Sequence, residues 1–252
     1  YLTALRKLKT PEALRTCVEL ALKEARNTGK SAVTIDLAEN GDSCGEGLPR
    51  GDPLAARIRQ LAIERIPEVV HDPEAPLAAD DKSDGLAALA GMLDDTGKHQ
   101  QAVAAMKERE QILEIAARAA PDATMASTFD PHRTDTYLYL GEPQKAEQLL
   151  SQREKEMPED YNPPARLARV YFEEKKLADA EAAVDRALAK MTRGQRRLGI
   201  LGLKAKILTA EGKPVDAVLR EQLEVSRELP RNQRNAQNEA KLEEQLRKTA
   251  SK

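Results

Sequence analysis

Cysteine and histidine, the side chains that most often carry catalysis or hold metal ions, are few and scattered in this chain. The 252 residues include three histidines, at positions 71, 99 and 132, and two cysteines, Cys17 and Cys44. The cysteines form neither the C-x-x-C pair of a redox motif nor half of a zinc site, so we expect no metal and no cofactor. Apolar spacing predicts that Cys17 is buried, and Gly-rich surroundings predict that Cys44 is exposed. The sequence by itself does not decide whether the two cysteines form a disulfide.

One acidic, Gly-rich segment, 36–47, has part of the pattern of a calcium loop. Asn40, Asp42 and Gly45 fit the first, third and sixth positions of such a loop. Gly51 stands at the twelfth position, where calcium requires a bidentate glutamate. We therefore interpret the segment as a solvated loop.

His132 lies between Asp130 and Asp135, which are residue types that could form an acid–base cluster. Their place near a helix start instead favours Asp130 as a capping residue and His132 as a surface residue. The sequence contains no Gly-rich phosphate-binding loop, no Gly-x-Ser-x-Gly turn and no His-Glu-x-x-His helix. We therefore expect that the protein is not an enzyme.

The composition favours a soluble, folded, helical chain. There are 40 Lys and Arg against 42 Asp and Glu, and the net charge of −2 gives no bulk basicity to recruit nucleic acid. Aromatic residues make up only 3%, while Ala and Leu, which favour helices, supply most of the apolar content. No apolar run reaches the roughly 18 to 20 residues of a membrane-spanning helix, so we expect no membrane insertion. Because the sequence opens at Tyr1, we expect that a leader or upstream domain has been removed, and the compartment stays open.

Prolines and capping residues predict the helix ends in the N-terminal part. A helix is expected to begin at Pro11 and another at Pro53, directly after Asp52. Pro67 is expected to end the second of these helices. The segment 67–84, which contains three prolines, is expected to be an extended connector.

The strongest pattern is a repeat of 34 residues. Segment 140–150 is echoed by segment 174–184, so that Ala146 corresponds to Ala180. The best unit, 161–194, places apolar or small residues at six fixed positions of the tetratricopeptide repeat (TPR) family: Leu167, Ala168, Tyr171, Ala180, Val184 and Ala187. The chain therefore resembles that family.

The resemblance implies an all-α fold, a right-handed α-solenoid of helix-turn-helix repeats. We expect a divergent N-terminal helical segment at 1–83, about four helix pairs at 84–229, and a polar C-terminal helix or tail at 230–252. Ala217 is expected to be the small residue in the second helix of the last pair.

In the TPR family the first helices of the pairs line a concave groove, which implies a peptide or helix of a partner protein as the ligand. Counting from the best unit and its neighbours, the groove residues are expected to be Asn162, Arg166, Arg169, Phe172, Asp135, Leu138 and Lys206. An Arg fork could bind a carboxylate or backbone, and Phe172 could form an apolar platform.

Two alternatives to a free-standing scaffold remain open. The block 129–168 is similar to helical regions that follow a thioredoxin-like domain in some bacterial proteins. This resemblance implies a client-binding module of a redox protein whose thioredoxin-like domain is absent from this chain. The repeats could instead self-assemble, for example as a homodimer.

Overall fold

The computed structural model describes residues 1–249, and these form two compact units. Unit 1 is Tyr1–Ala120, and unit 2 is the remainder from Pro121. The described residues contain α-helices and one short 3-10 helix but no strand. The all-α prediction is therefore confirmed. The domain boundaries predicted after residues 83 and 229 come from the repeat pattern, whereas the two units are defined by compact packing. Those boundaries therefore stay predictions.

Unit 1 consists of helices that each pack against the next in chain order. Two of them begin as predicted, because Thr10 accepts a hydrogen bond from Ala13 N and Asp52 accepts one from Leu54 N. The helices of this unit are α1 Leu2–Leu8, α2 Pro11–Asn27, α3 Ala32–Gly45, α4 Pro53–Val70, α5 Ala79–Asp95 and α6 His99–Ala119.

The predicted solvated loop at 36–47 is wrong, because α3 extends to Gly45. Close packing explains this helix despite its glycines: a Cβ on Gly41 would lie 2.5 Å from that of Ala21 on α2. The expectation of an exposed Cys44 is wrong for the same reason, since its side chain is fully buried at this contact. There it forms a disulfide with Cys17, with the two Cα atoms 6.2 Å apart.

Helix α4 does not end at Pro67 but continues through it to Val70. Val69 and Val70 are buried, and their packing holds this last turn in helical form. The connector that follows is therefore shorter than expected, because α5 already begins at Ala79.

Unit 2 contains three consecutive helix pairs, α8/α9, α10/α11 and α12/α13. The first helix of each pair also packs against the first helix of the next, as stacked repeats require. The helices of this unit are α7 Ala123–Ser127, α8 Asp130–Tyr139, α9 Pro143–Glu156, α10 Asn162–Glu173, α11 Leu177–Lys190, α12 Gln195–Ala210, α13 Asp216–Glu228 and α14 Ala236–Thr249, with the 3-10 helix Arg231–Gln233 before α14.

The same turn joins the two helices of each pair in unit 2. Gly141 and Gly212 take left-handed backbone angles, φ 72° and 70°, which close the first helix. Lys175 occupies this place in the middle pair with φ 64°, a conformation that is unfavourable for a residue with a Cβ.

The predicted packing positions of the best unit are buried between the paired helices. The fully buried side chains among them are Ala168, Ala180, Val184 and Ala187, with Leu167 at 1% exposure. In the last pair the predicted position is wrong: Ala217 is exposed, and Leu219 is buried instead. The cause is a longer turn, because α13 begins four residues after Gly212 whereas α9 begins two residues after Gly141.

Candidate functional site

An open groove runs between α12 and α14 in unit 2, with α13 forming its floor. We call it the α12–α14 groove. It consists of two hollows of about 580 and 480 Å³ that share four lining residues, Gly202, Lys206, Gln222 and Asn238. One hollow is apolar and the other is polar, so the two ends of the groove offer different chemistry.

The apolar end is built by side chains from four parts of unit 2. Phe172 comes from the end of α10, Val215 precedes α13, Leu219 belongs to α13, and Leu242 to α14. Leu242 is 6% exposed because it packs against Leu219 and Leu223, and this contact fixes α14 beside the floor. The apolar end is therefore a preformed hollow.

The polar end is lined by five side-chain amides, beside Lys206, Ser226 and three leucines. Gln195 opens α12, Gln233 and Asn235 lie in the segment before α14, and Asn238 is in its first turn. Gln222 lies on the floor between the two ends, and its Nε2 donates to Leu198 O at 3.3 Å. Amide side chains both donate and accept hydrogen bonds, so this end can pair with either polar group of a peptide backbone.

Two lysines give the groove a positive charge. Lys206 of α12 and Lys241 of α14 line the apolar end, and no acidic side chain lines either hollow. Neither lysine forms an ion pair within residues 1–249, in contrast to nearby Lys204, which pairs with Asp185. The groove can therefore attract an anionic group.

Two glycines on α12 leave space in the groove because they have no side chain. Gly199 and Gly202 are three residues apart and so share one face of the helix. A Cβ on Gly199 would meet no atom within 4 Å, and one on Gly202 would meet only the Gln222 amide, at 3.3 Å. Both are interior helix positions, where glycine is the least favourable residue after proline.

The structure brings together two of the predicted groove residues at the α12–α14 groove. Phe172 and Lys206, which come from different repeats, both line its apolar end. Phe172 also packs against the core of unit 2, and the Lys175 ammonium lies 5.7 Å from its ring centroid.

The other predicted residues lie on α8 and α10 and are not part of this groove. Arg169 forms ion pairs of 2.9 Å with Asp135 and with Glu173. The Asn162 side chain donates to Asp160 in the turn before α10, at 2.8 Å. Leu138 packs against the core. These contacts give the four side chains structural partners within the unit.

Arg166 differs from these residues, because its guanidinium forms no direct hydrogen bond or ion pair in the described part of the chain. Burial lowers the pKa of this guanidinium below its usual range, although the nearby carboxylates Asp130 and Asp160 oppose that shift. An anionic or carbonyl oxygen brought to this side chain would compensate its burial.

The interpretation of Asp130 as a capping residue is wrong. Phe129 is the capping residue of α8, and the fully buried carboxylate of Asp130 pairs with Arg153 Nε at 2.7 Å. Arg133 also approaches it, at 3.4 Å. The pair joins the two helices of one repeat, which sequence reasoning did not foresee.

The contribution of α14 to the groove was also missed by sequence reasoning, which left the segment 230–252 as a polar helix or tail. The signal was present in Leu242 and Leu246, the two large apolar residues of that segment, spaced four apart on one helix face. Residues 250–252 of this segment lie outside the described part of the chain.

A separate hollow, of about 450 Å³, lies in unit 1 between α3 and α5 and is acidic. Burial, together with the neighbouring Asp84 and Asp36, raises the pKa of Glu39 to about 7. Asp42 is neutralised by Arg59, whose Nε lies 2.9 Å from its Oδ1. Within residues 1–249 no group of His, Cys, Asp and Glu has the arrangement of a metal site, and no helix is both long and apolar enough to cross a bilayer.

Comparison with known proteins confirms the resemblance to the TPR family. The model of the tetratricopeptide repeat family matches residues 137–207, which span α10, α11 and parts of the neighbouring pairs. No curated protein matches the sequence.

Two solved structures are among those similar to this chain. BtubC (BKLC) from P. vanneervenii is 15% identical, with a TM-score of 0.54, over 84% of this chain and 91% of that one. A Podosopora anserina protein, described as a kinesin light chain with nearly identical TPR-like repeats, is 19% identical, with a TM-score of 0.45, over 66% of this chain and 94% of that one. The BtubC match shows an α-solenoid fold of TPR-like repeats.

Proposed function

We propose that this TPR-repeat chain is a non-catalytic scaffold that binds a partner protein through the first-helix face of unit 2, the surface formed by α8, α10, α12 and α14. The TPR family is generally a scaffold for protein–protein interactions, and residues 137–207 match its model. The observation that carries the proposal is that Phe172 and Lys206, expected from the repeat positions to face a ligand, line one open groove.

Two features of the first-helix face support binding rather than a purely structural role. The α12–α14 groove combines a preformed apolar hollow with two lysines that have no ion pair in the described chain, so a partner can bury apolar surface and neutralise charge there. Arg166 adds a half-buried guanidinium with open donors on α10. A partner that extends along the face could reach both places.

Arg169 and Asp135 have a different role in this proposal from Phe172 and Lys206. Their ion pair bridges α8 and α10 on the same face, so they hold neighbouring repeats together when no ligand is bound. A ligand would contact them as a pair, and we expect substitutions there to change binding less than substitutions at Phe172 or Lys206.

Site-specific photo-crosslinking tests this proposal. A chain carrying Thr209→benzoylphenylalanine, at an exposed position of α12 that lines the apolar end and leaves Lys206 in place, is irradiated in a lysate of cells that make the protein. Crosslinked products are identified by mass spectrometry. The matched control carries the same group at Lys155, an exposed lysine of the second helix α9. A protein captured at position 209 but not at 155, and lost when Phe172→Ala is added, is the expected result.

Equal capture at the two positions, or capture at neither, would refute binding at the first-helix face. Crosslinking of the chain to a second copy of itself at position 209 would instead favour the self-assembly alternative. Capture of a protein that carries a C-x-x-C motif would favour the alternative of a client-binding module of a redox protein.

A further inference from the structure

We infer that the α12–α14 groove takes an extended segment of the partner that carries a large apolar side chain next to a carboxylate. This inference rests on the proposed function and narrows it to one groove and one ligand chemistry. Three properties of the groove carry it: the division into an apolar and an amide-lined end, the two unpaired lysines, and the two glycines of α12.

The division of the groove favours an extended chain over a helix. The amides of Gln195, Gln233 and Asn235 line the polar end, and of these the Asn235 Oδ1 already accepts from Asn238 N at 3.1 Å. An extended backbone exposes unpaired N–H and C=O groups that such amides can satisfy, whereas a helix satisfies its own backbone groups internally. Hydrogen bonds at this end therefore stabilise an extended ligand selectively.

The apolar end sets the size of the side chain that the groove accepts. Phe172, Val215, Leu219 and Leu242 surround a hollow of about 580 Å³, which is open on one side. A residue such as leucine or phenylalanine would remove both its own apolar surface and that of the hollow from water. A small or polar side chain would leave the apolar walls in contact with solvent.

The two lysines determine which charge the ligand can carry next to its inserted apolar side chain. Lys206 and Lys241 belong to the two helices that border the apolar end, so a carboxylate next to the inserted apolar side chain would face an ammonium from either helix. No acidic side chain of the groove competes for them. A lysine or arginine at that position of the ligand would meet like charge instead.

The glycines explain how a backbone can come close to α12. With hydrogen in place of a side chain at Gly199 and Gly202, the groove wall on this face of the helix is the α12 backbone itself. Larger residues would stabilise α12 as a helix but would occupy the space that a bound strand needs.

Selection from a displayed library of random eight-residue peptides, with the full chain as target, tests the inference. The enriched peptides are synthesised with both termini blocked, and their dissociation constants are measured by fluorescence anisotropy. We expect them to share a large apolar residue beside Asp or Glu, to lose at least about tenfold in affinity when the acid is changed to lysine, and to bind without gaining helicity by circular dichroism.

Two pairs of variants locate the binding site. Gly202→Leu fills the groove while leaving a better helix former in α12, so we expect binding to fall at least about tenfold without a lower Tm. Its control is Gly91→Leu, at a glycine of α5 where an added Cβ would meet no atom within 4 Å. Lys241→Glu should weaken binding by a similar factor, and its control is Lys155→Glu on α9.

The remaining outcomes would contradict the inference, and they differ in whether the proposed function fails with it. Peptides that bind but respond only to Arg166→Ala, or that bind as helices or through basic residues, would refute this groove and ligand while leaving the proposed function standing. A library that yields no binder, together with no specific capture at position 209, would refute both.

Discussion

Breaking the disulfide between Cys17 and Cys44 is expected to destabilise unit 1 without affecting unit 2. The bond closes a loop of 27 residues between α2 and α3, and both cysteines are fully buried. In the chain-entropy description, reopening a loop of this length returns about 12 cal/mol/K to the unfolded chain, which corresponds to about 3.5 kcal/mol at 25 °C. Since small domains are stable by only about 5 to 15 kcal/mol, this loss is a large fraction of the total.

Hydrogen exchange measured by mass spectrometry can test this expectation within one molecule. The oxidised chain is compared with chain that has been unfolded, reduced and refolded in reductant, because solvent does not reach the buried bond in the folded state. Amides of α2 and α3 should exchange up to about 300-fold faster after reduction, which is the factor that corresponds to about 3.5 kcal/mol. Both cysteines of the chain belong to unit 1, so α10 and α11 serve as the internal control.

A double variant separates the crosslink from the side chains that form it. Cys17→Ala with Cys44→Ala should resemble the reduced chain and be insensitive to reductant. Unchanged exchange in α2 and α3 on reduction would refute the reasoning, as would two free thiols in chain folded under oxidising conditions.

Three further changes have expected outcomes. Lys175→Gly should raise the free energy of unfolding of unit 2 by about 1 kcal/mol, because glycine adopts the left-handed turn without strain; an unchanged or lower value in denaturant titration would contradict this. Glu39→Gln should raise the Tm of unit 1 at pH 8 but not at pH 4. The pKa of Glu39 in the folded state, about 7, lies above the usual 4.5. The stability that protonated Glu39 contributes is therefore fully present below pH 4.5 and is lost as the pH rises through 7. Equal Tm differences between variant and wild type at the two pH values would contradict this expectation. Asp130→Asn should cost about 3 kcal/mol, because it removes the buried carboxylate that pairs with Arg153 and leaves that arginine only the more exposed Glu156. Asp135→Asn at an exposed pair should cost less than about 1 kcal/mol, and similar losses at the two sites would show that burial does not decide the effect.

The sequence was sufficient to predict the helices and their pairing where local signals repeat. The 34-residue spacing of Ala146 and Ala180 placed both on the second helices of consecutive pairs, and both are fully buried there. Pro11, and Pro53 after the capping residue Asp52, likewise predicted where α2 and α4 begin. These features depend on contacts within about one repeat, so local spacing reports them directly.

The predictions from sequence were wrong where contacts between helices outweigh the local preference of residues for a loop or a helix. Glycine and acidic residues between 36 and 47 are typical of a loop, yet α3 continues because Gly41 and Cys44 pack tightly against α2. Two extra residues after Gly212 shifted the buried position in α13 from Ala217 to Leu219, which no count from the previous repeat could reveal.

For the candidate site, the repeat positions by themselves determined that Phe172 and Lys206 would lie on the first-helix face. Only the tertiary structure decided that they meet at one groove, that Arg169 is paired with Asp135, and that Lys241 of the C-terminal helix completes the site. The physical reason is that a residue's helix face follows from local periodicity, whereas the side chains it meets depend on how far apart neighbouring helices pack.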